Sequence, residues 1–246
     1  MKKVHVTPLT FLIFLLLVIG IFIIWASSER GPQREAIEAL QSDDLVDVQI
    51  KDWIIFRPKS NKITLGLILY PGARVDIRSY SPAARAIASR GYIVVIVPMP
   101  LNLAVFGINR ASEVMEAFSH IARWVIAGHS VGGSMAASFV DSNPSAVEGL
   151  VLWSSHPANK DDLSGRNLMA VSIYETLDGL SINRNIDGTR HLLPPQTRWV
   201  PIEGGTHAQF GWYGPQKGEN VATISQKDQQ EIIISATLDL LVRLGD

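Results

Sequence analysis

The 246-residue chain contains no cysteine, which excludes thiol nucleophiles, disulfides and cysteine-ligated zinc or iron–sulfur centres. It has no basic excess either. Lys and Arg number 22 against 23 Asp and Glu, a formal net charge of -1, whereas a nucleic-acid binder is expected to carry surplus positive charge. Disorder of the low-complexity kind is excluded by a 47% hydrophobic content, enough to offset the entropy of ordering the chain. The length suits one sizeable domain.

What is present is unevenly spread. From Leu9 to Ala26 the chain is an uncharged run, LTFLIFLLLVIGIFIIWA. At about 1.5 Å per residue this run is just long enough for a hydrocarbon core of ~30 Å. The run is apolar on all sides, unlike the single stripe of a soluble amphipathic helix. A cleaved signal peptide is the rival reading. It would need a shorter core and small residues at an A-x-A-like site, where Ile24-Trp25-Ala26 stands. Trp25 suits the interfacial belt of a spanning helix. Met1, Lys2 and Lys3 before the run, against the nearly neutral Ser27-Ser28-Glu29-Arg30 after it, place the N-terminus in the cytoplasm and the remainder across the membrane. The expected organisation is therefore residues 1–26 as cytoplasmic N-terminus and anchor, 27–45 as a juxtamembrane linker, and 46–246 as the catalytic domain. Arg34 to Leu40 could form a short helix within the linker.

Beyond Val46 the pattern becomes an alternation of strands and helices. Val46–Ile50 and Trp53–Pro58 read as an antiparallel pair. Leu65–Tyr70, Tyr92–Pro98, Arg123–Gly128, Gly149–Ser155, Ala170–Glu175 and Arg198–Gly204 read as further strands. Helices are expected at Tyr80–Gly91, Ala111–Ile121, Val131–Asn143 and Gln226–Leu244. Such alternation implies an α/β domain with a mostly parallel sheet covered by helices on both faces.

The third of the buried strands ends in Gly128-His129-Ser130-Val131-Gly132-Gly133, a G-x-S-x-G motif between strand and helix. The sharp turn holds the serine in a strained conformation, and glycines two residues either side avoid a Cβ clash. Ser130 is lifted above the sheet at a helix N-terminus, where developing negative charge is favoured. A small-residue helix start without chemistry is the plain alternative.

A serine nucleophile needs a base and an orienting acid further along the chain. His207, in Glu203-Gly204-Gly205-Thr206-His207, follows the last strand at its C-terminal edge, where open α/β sheets build their sites. His156 and His191 are the other histidines beyond Ser130, the latter in what reads as a long polar loop. For the acid, Asp178 follows the Ala170–Glu175 strand by a short turn, and Glu175, Asp161 and Asp162 are its rivals. The oxyanion donors fall to Val131 N–H and to the loop Tyr70-Pro71-Gly72-Ala73-Arg74. There Pro71 has no N–H, and Ala73 is preferred over Gly72. Arg74 could meet an acidic substrate group or simply lie on the surface. The apolar stretch Pro98–Gly107 could wall an acyl pocket or be a buried loop, and Phe210, Trp212 and Tyr213 could cap the site or pin a loop.

With these residues placed, the chain resembles the α/β-hydrolase superfamily, specifically its compact dienelactone-hydrolase-like group, over about Val46 to Leu244. Tyr70–Ala73, Gly128–Gly133, Thr176–Gly179 and Gly204–Gly211 carry the likeness. The resemblance implies Ser130 as nucleophile, Asp178 as acid, His207 as base, and Ala73 and Val131 as oxyanion donors. Ser130 stands where dienelactone hydrolases have cysteine, so their substrate does not transfer, and neither an HGGG motif nor a lipase-sized lid is present. The expectation is a membrane-anchored serine hydrolase acting on a carboxylic ester or related acyl bond. Thioesterase, amidase or acyltransferase chemistry and a non-catalytic binding module are the alternatives. No metal or organic cofactor is called for. The expected partners are a small-molecule acyl substrate and the membrane, with no nucleic acid and an open oligomeric state.

Overall fold

A computed structural model describes residues 8–59, 63–177, 179–180 and 182–245. Eight strands form one sheet: β1 (Val46–Ile50), β2 (Ile54–Pro58), β3 (Leu65–Tyr70), β4 (Ile93–Ile96), β5 (Arg123–His129), β6 (Gly149–Trp153), β7 (Met169–Glu175) and β8 (Arg198–Ile202). Their spatial order is β1-β2-β4-β3-β5-β6-β7-β8, with β2 antiparallel to β1 and β4 and every other pairing parallel. The C-terminal ends of β3, β5, β6, β7 and β8 consequently lie along one edge.

The helices are α1 (Pro8–Ser27), α2 (Arg34–Glu38), α3 (Ser81–Ala88), α4 (Arg110–Ala117), α5 (Val131–Ser142), α6 (Ile182–Thr189) and α7 (Gln226–Gly245). The continuous apolar run of β3 is explained by cover on both faces. Leu67 and Leu69 belong to the buried core on one face, with Ile87 of α3 and Ile233 of α7, while Ile68 and Tyr70 belong to the core on the other, with Val114 of α4 and Phe139 of α5. Each such fully buried side chain contributes about 1.5–3 kcal/mol of transfer free energy. The stretch expected as a polar loop around His191 contains α6 and a 3-10 turn at Arg190–Leu192, with His191 exposed. Among the side chains described in α6, Ile186 is the apolar one in the core, so the sequence carries little helical periodicity there.

Helix α1 is 20 residues long, about 30 Å at ~1.5 Å per residue, with a mean hydropathy of 3.0. It is the one described helix long and apolar enough to cross a membrane. Its large side chains are exposed on every face, and Ala26 in its last turn is buried. The following segment lies along the domain. Arg30 bridges to Val75, Gln33 N–H donates to the Trp212 carbonyl at 2.7 Å, Ala36 is buried, and Arg85 pairs with Asp43 at 2.6 Å.

Candidate active site

Strand β5 runs directly into α5 through Ser130, whose backbone sits at φ 53 and ψ -125, in the left-handed region that a non-glycine residue rarely occupies. Two close approaches make that turn possible. A Cβ on Gly128 would fall 2.5 Å from the Gly132 carbonyl, and one on Gly132 would fall 2.3 Å from the Pro71 carbonyl oxygen. The second approach presses the loop after β3 onto the N-terminus of α5. Gly72 N–H donates to the Tyr80 hydroxyl at 2.9 Å. Ala73 N–H and Val131 N–H have no acceptor among the described residues, which leaves two backbone donors free beside Ser130.

His207 follows β8 and is buried. Its Nδ1 lies 2.7 Å from Ser154 Oγ and 3.3 Å from Glu175 Oε1, and Ser154 Oγ lies 2.7 Å from the same carboxylate oxygen. With the carboxylate accepting, Ser154 donates to Glu175 and accepts from His207 N–H. That network assigns the ring proton to Nδ1 and leaves the Nε2 lone pair free to take another. Glu175 ends β7, is fully buried, and has no partner for Oε2 among the described residues. Ser154 follows β6 at φ 45, a second strained serine on the same edge.

The histidine loop is held from α7. Gln229 accepts from Thr206 N–H at 2.9 Å and donates to the Thr206 carbonyl at 2.8 Å, while Gln226 and Gln230 both donate to the Gln209 carbonyl. Glu219 accepts from Ala208 N–H on the other side. His129, which precedes Ser130, has its ring centroid 4.6 Å from that of His207 and stacks on Phe210 at 5.6 Å. Tyr80, accepting from Gly72 N–H, is left to donate to His129 Nδ1 at 2.9 Å. Burial, and secondarily the neighbouring His207, pushes the His129 ring well below the usual histidine range, so it stays neutral.

The structure therefore brings Ser130, His207, Ala73 and Val131 to one edge. Among the described residues no hydrogen bond joins Ser130 to His207, as is common where substrate is absent. Asp178 lies outside the described residues; Glu175, its rival, is the carboxylate found at His207 Nδ1. Asp161 is occupied by Ser138, and Asp162 is exposed and accepts from Ser164 N–H. His156 Nδ1 contacts the Pro157 carbonyl, 2.9 Å away. Arg74 is engaged by the exit of α1: its guanidinium binds the Ser28 carbonyl at 2.9 Å and lies 4.5 Å over the Trp25 ring. Phe210 and Tyr213 are buried against His129, so these two aromatics pin a loop. Ser154 and Tyr80 carry no motif, and their roles come from contacts distant in sequence. Among the described residues no cluster of three His, Asp or Glu could hold a metal ion. A hollow of about 650 Å³ lined by Val140, Glu148, Arg166, Leu168 and Leu244 lies at the opposite, N-terminal ends of β6 and β7 and contains none of these groups.

The same fold recurs in solved structures at low sequence identity. A predicted CIB-like hydrolase from Thermoplasma acidophilum matches with a TM-score of 0.61 at 15% identity, covering 80% of this chain and 98% of its own. A ferulic acid esterase from Streptomyces cinnamoneus matches at 0.56 and 16%, covering 76% and 69%. A dienelactone hydrolase from Anabaena variabilis matches at 0.56 and 14%, covering 76% and 90%. These likenesses establish the fold. A search of curated proteins finds no match. The family model for the alpha/beta hydrolase family matches residues 66–231, more than half of the chain and spanning Ser130 and His207, and the chain belongs to that family.

Proposed function

We propose that the protein is a serine hydrolase, held at a membrane by α1, that cleaves a carboxylic ester or related acyl bond. The observation that carries this reading is Ser130, strained at the strand-to-helix turn with two unengaged N–H donors beside it and His207 on the same edge. Ser130 Oγ attacks the acyl carbon while its proton passes to His207 Nε2. The carbonyl oxygen gains the negative charge and rests on Ala73 N–H and Val131 N–H, the largest single source of rate in such chemistry. Collapse expels the alcohol, which takes the proton back from Nε2. Water, deprotonated by His207, then attacks the acyl-enzyme, and Ser130 leaves with the proton restored.

The charge that builds on the imidazole needs an anion at Nδ1. Glu175 supplies it in our reading, in part through the Ser154 hydroxyl, while Asp178 is the acid that the family pattern favours. A fluorophosphonate probe should label purified protein at Ser130, and hydrolysis of p-nitrophenyl esters should vanish in Ser130→Ala. Folded protein that neither labels nor turns over any ester or thioester would overturn the assignment in favour of a binding module.

A further inference from the structure

The edge of the sheet that carries Ser130 is also the edge to which α1 is fastened. Arg74, next to Ala73, donates to the Ser28 carbonyl at 2.9 Å and to Ser28 Oγ at 2.6 Å, just past the end of α1. Arg30 N–H donates to the Arg74 carbonyl at 2.8 Å and Asp76 N–H to the Arg30 carbonyl at 3.0 Å. Arg74 N–H in turn donates to the Asn102 carbonyl at 2.9 Å, and Asn102 Nδ2 reaches the Ala26 carbonyl at 3.4 Å. The loop after β3, the loop after β4 and the exit of the apolar helix are thus one hydrogen-bonded unit.

The loop after β4 carries the apolar surface of this unit. Leu101, Val105 and Phe106 are 39%, 44% and 54% exposed, an unfavourable display in water. Leu101 and Asn102 both sit at positive φ, 53 and 54, so the backbone accepts strain where Leu101 faces outward. The Phe106 ring meets Phe22 edge-on at 6.4 Å. Phe22 lies more than a helical turn before Ser27, roughly 7 Å back along the axis, inside the apolar run. Phe106 therefore stands at the depth of residues that belong to the hydrocarbon. The turn Ala104–Phe106 also packs on α5, the helix that starts immediately after Ser130.

We infer that Pro100–Phe106 inserts into the same bilayer that α1 spans, so that the active site opens at the lipid surface and its substrate is a membrane-borne amphiphile with a long acyl chain. This rests on the reading of α1 as a membrane span and of Ser130 as nucleophile. The occupant of the apolar surface is the lipid leaflet and not a second copy, because the surface is continuous with α1 through Phe22 and shares its depth. Leu101, Val105 and Phe106 act as a wedge that holds the mouth against the acyl region.

The cysteine-free chain makes a depth measurement direct. Full-length protein with Val105→Cys or Phe106→Cys would carry a nitroxide, in phosphatidylcholine–phosphatidylglycerol vesicles, and be read by accessibility to oxygen against a water-soluble nickel complex. Both positions should favour oxygen, as Leu16→Cys within α1 should, whereas Val221→Cys, 88% exposed and remote from α1 in sequence, should favour nickel. Leu16 in lipid with Val105 and Phe106 in water overturns the wedge and leaves the span intact. Leu16 itself in water overturns the span, and the wedge with it. For the substrate, Phe106→Ser should lower the ratio of long-chain ester hydrolysis in vesicles to soluble short-chain ester hydrolysis by about tenfold, the loss expected on removing one large apolar contact with lipid. An unchanged ratio rejects the lipid substrate. Absent turnover of both esters rejects the hydrolase reading, while the nitroxide depths still report the wedge.

Discussion

The Ser154 hydroxyl lies 2.7 Å from His207 Nδ1, nearer than the Glu175 carboxylate at 3.3 Å. The carboxylate is thus coupled to the imidazole both directly and through a hydroxyl whose residue is strained at φ 45. Hydroxyl and strain can be separated by mutation. Ser154→Ala and Ser154→Gly both remove Oγ, and both should lower kcat by about tenfold with little change in KM, because the contact matters when the imidazole becomes charged. Only glycine relieves the positive φ, so Ser154→Gly should melt above Ser154→Ala by the equivalent of about 1 kcal/mol. Equal melting temperatures, or a loss confined to KM, would count against this account.

Glu175 and Asp178 make a discriminating pair. Glu175→Gln keeps the shape of the buried side chain and removes the charge beside His207, so kcat should fall by about 10³–10⁴-fold, the scale seen when an amide favours the wrong imidazole tautomer. Asp178→Asn should then stay within about tenfold, acting only through longer-range electrostatics. The reverse outcome in steady-state kinetics would assign the acid to Asp178 and leave Ser130 and His207 untouched.

Gly132 holds the loop after β3 against the nucleophile. A Cβ there would lie 2.3 Å from the Pro71 oxygen and 2.5 Å from the Tyr70 oxygen, both rigid backbone atoms. Gly132→Ala should cost about 1–3 kcal/mol in chemical denaturation as the loop is pushed away. Displacing Ala73 N–H by the same movement should slow fluorophosphonate labelling by about 10²-fold, the scale of one lost oxyanion donor. Labelling at the wild-type rate in the folded variant would show that Ala73 is not the donor.

Neutral His129 predicts acid sensitivity. The unfolded chain takes a proton on this ring below about 6.5, and the folded protein, which buries the ring, resists it. Its contribution is therefore complete above pH 6.5 and is lost as pH falls below that value, at up to ~1.4 kcal/mol per pH unit. Thermal melts between pH 8 and 5 (about one decade either side of histidine titration) should show wild type losing more stability than His129→Gln, whose amide oxygen can still accept from Tyr80. Parallel curves would mean that His129 is protonated in the folded state.

The serine elbow was legible because it is local. Gly128, Ser130 and Gly132 are neighbours in sequence, and a strand-to-helix reversal of this sharpness dictates where glycine must stand. The strands were legible for a similar reason, since burial on both faces writes a continuous apolar run such as Leu65–Tyr70. His207 was legible as the histidine just past the last strand, because parallel strands put their C-terminal ends on one edge. The apolar run of α1 needed only hydropathy and length. What surrounds His207 could not be read this way. Ser154 just follows β6 and Glu175 ends β7, and they meet the ring only through the parallel pairing of β6, β7 and β8. A serine at a strand end carries no signal of its own. Arg74 was ambiguous for the same reason: its partners Trp25 and Ser28 lie a short helix and three strands earlier in the chain, and only packing of the helix exit onto the sheet edge decided for the structural tie. Local sterics and hydropathy are encoded in adjacent residues, whereas the partners of a buried polar atom are chosen by chain segments that meet only once the sheet has formed.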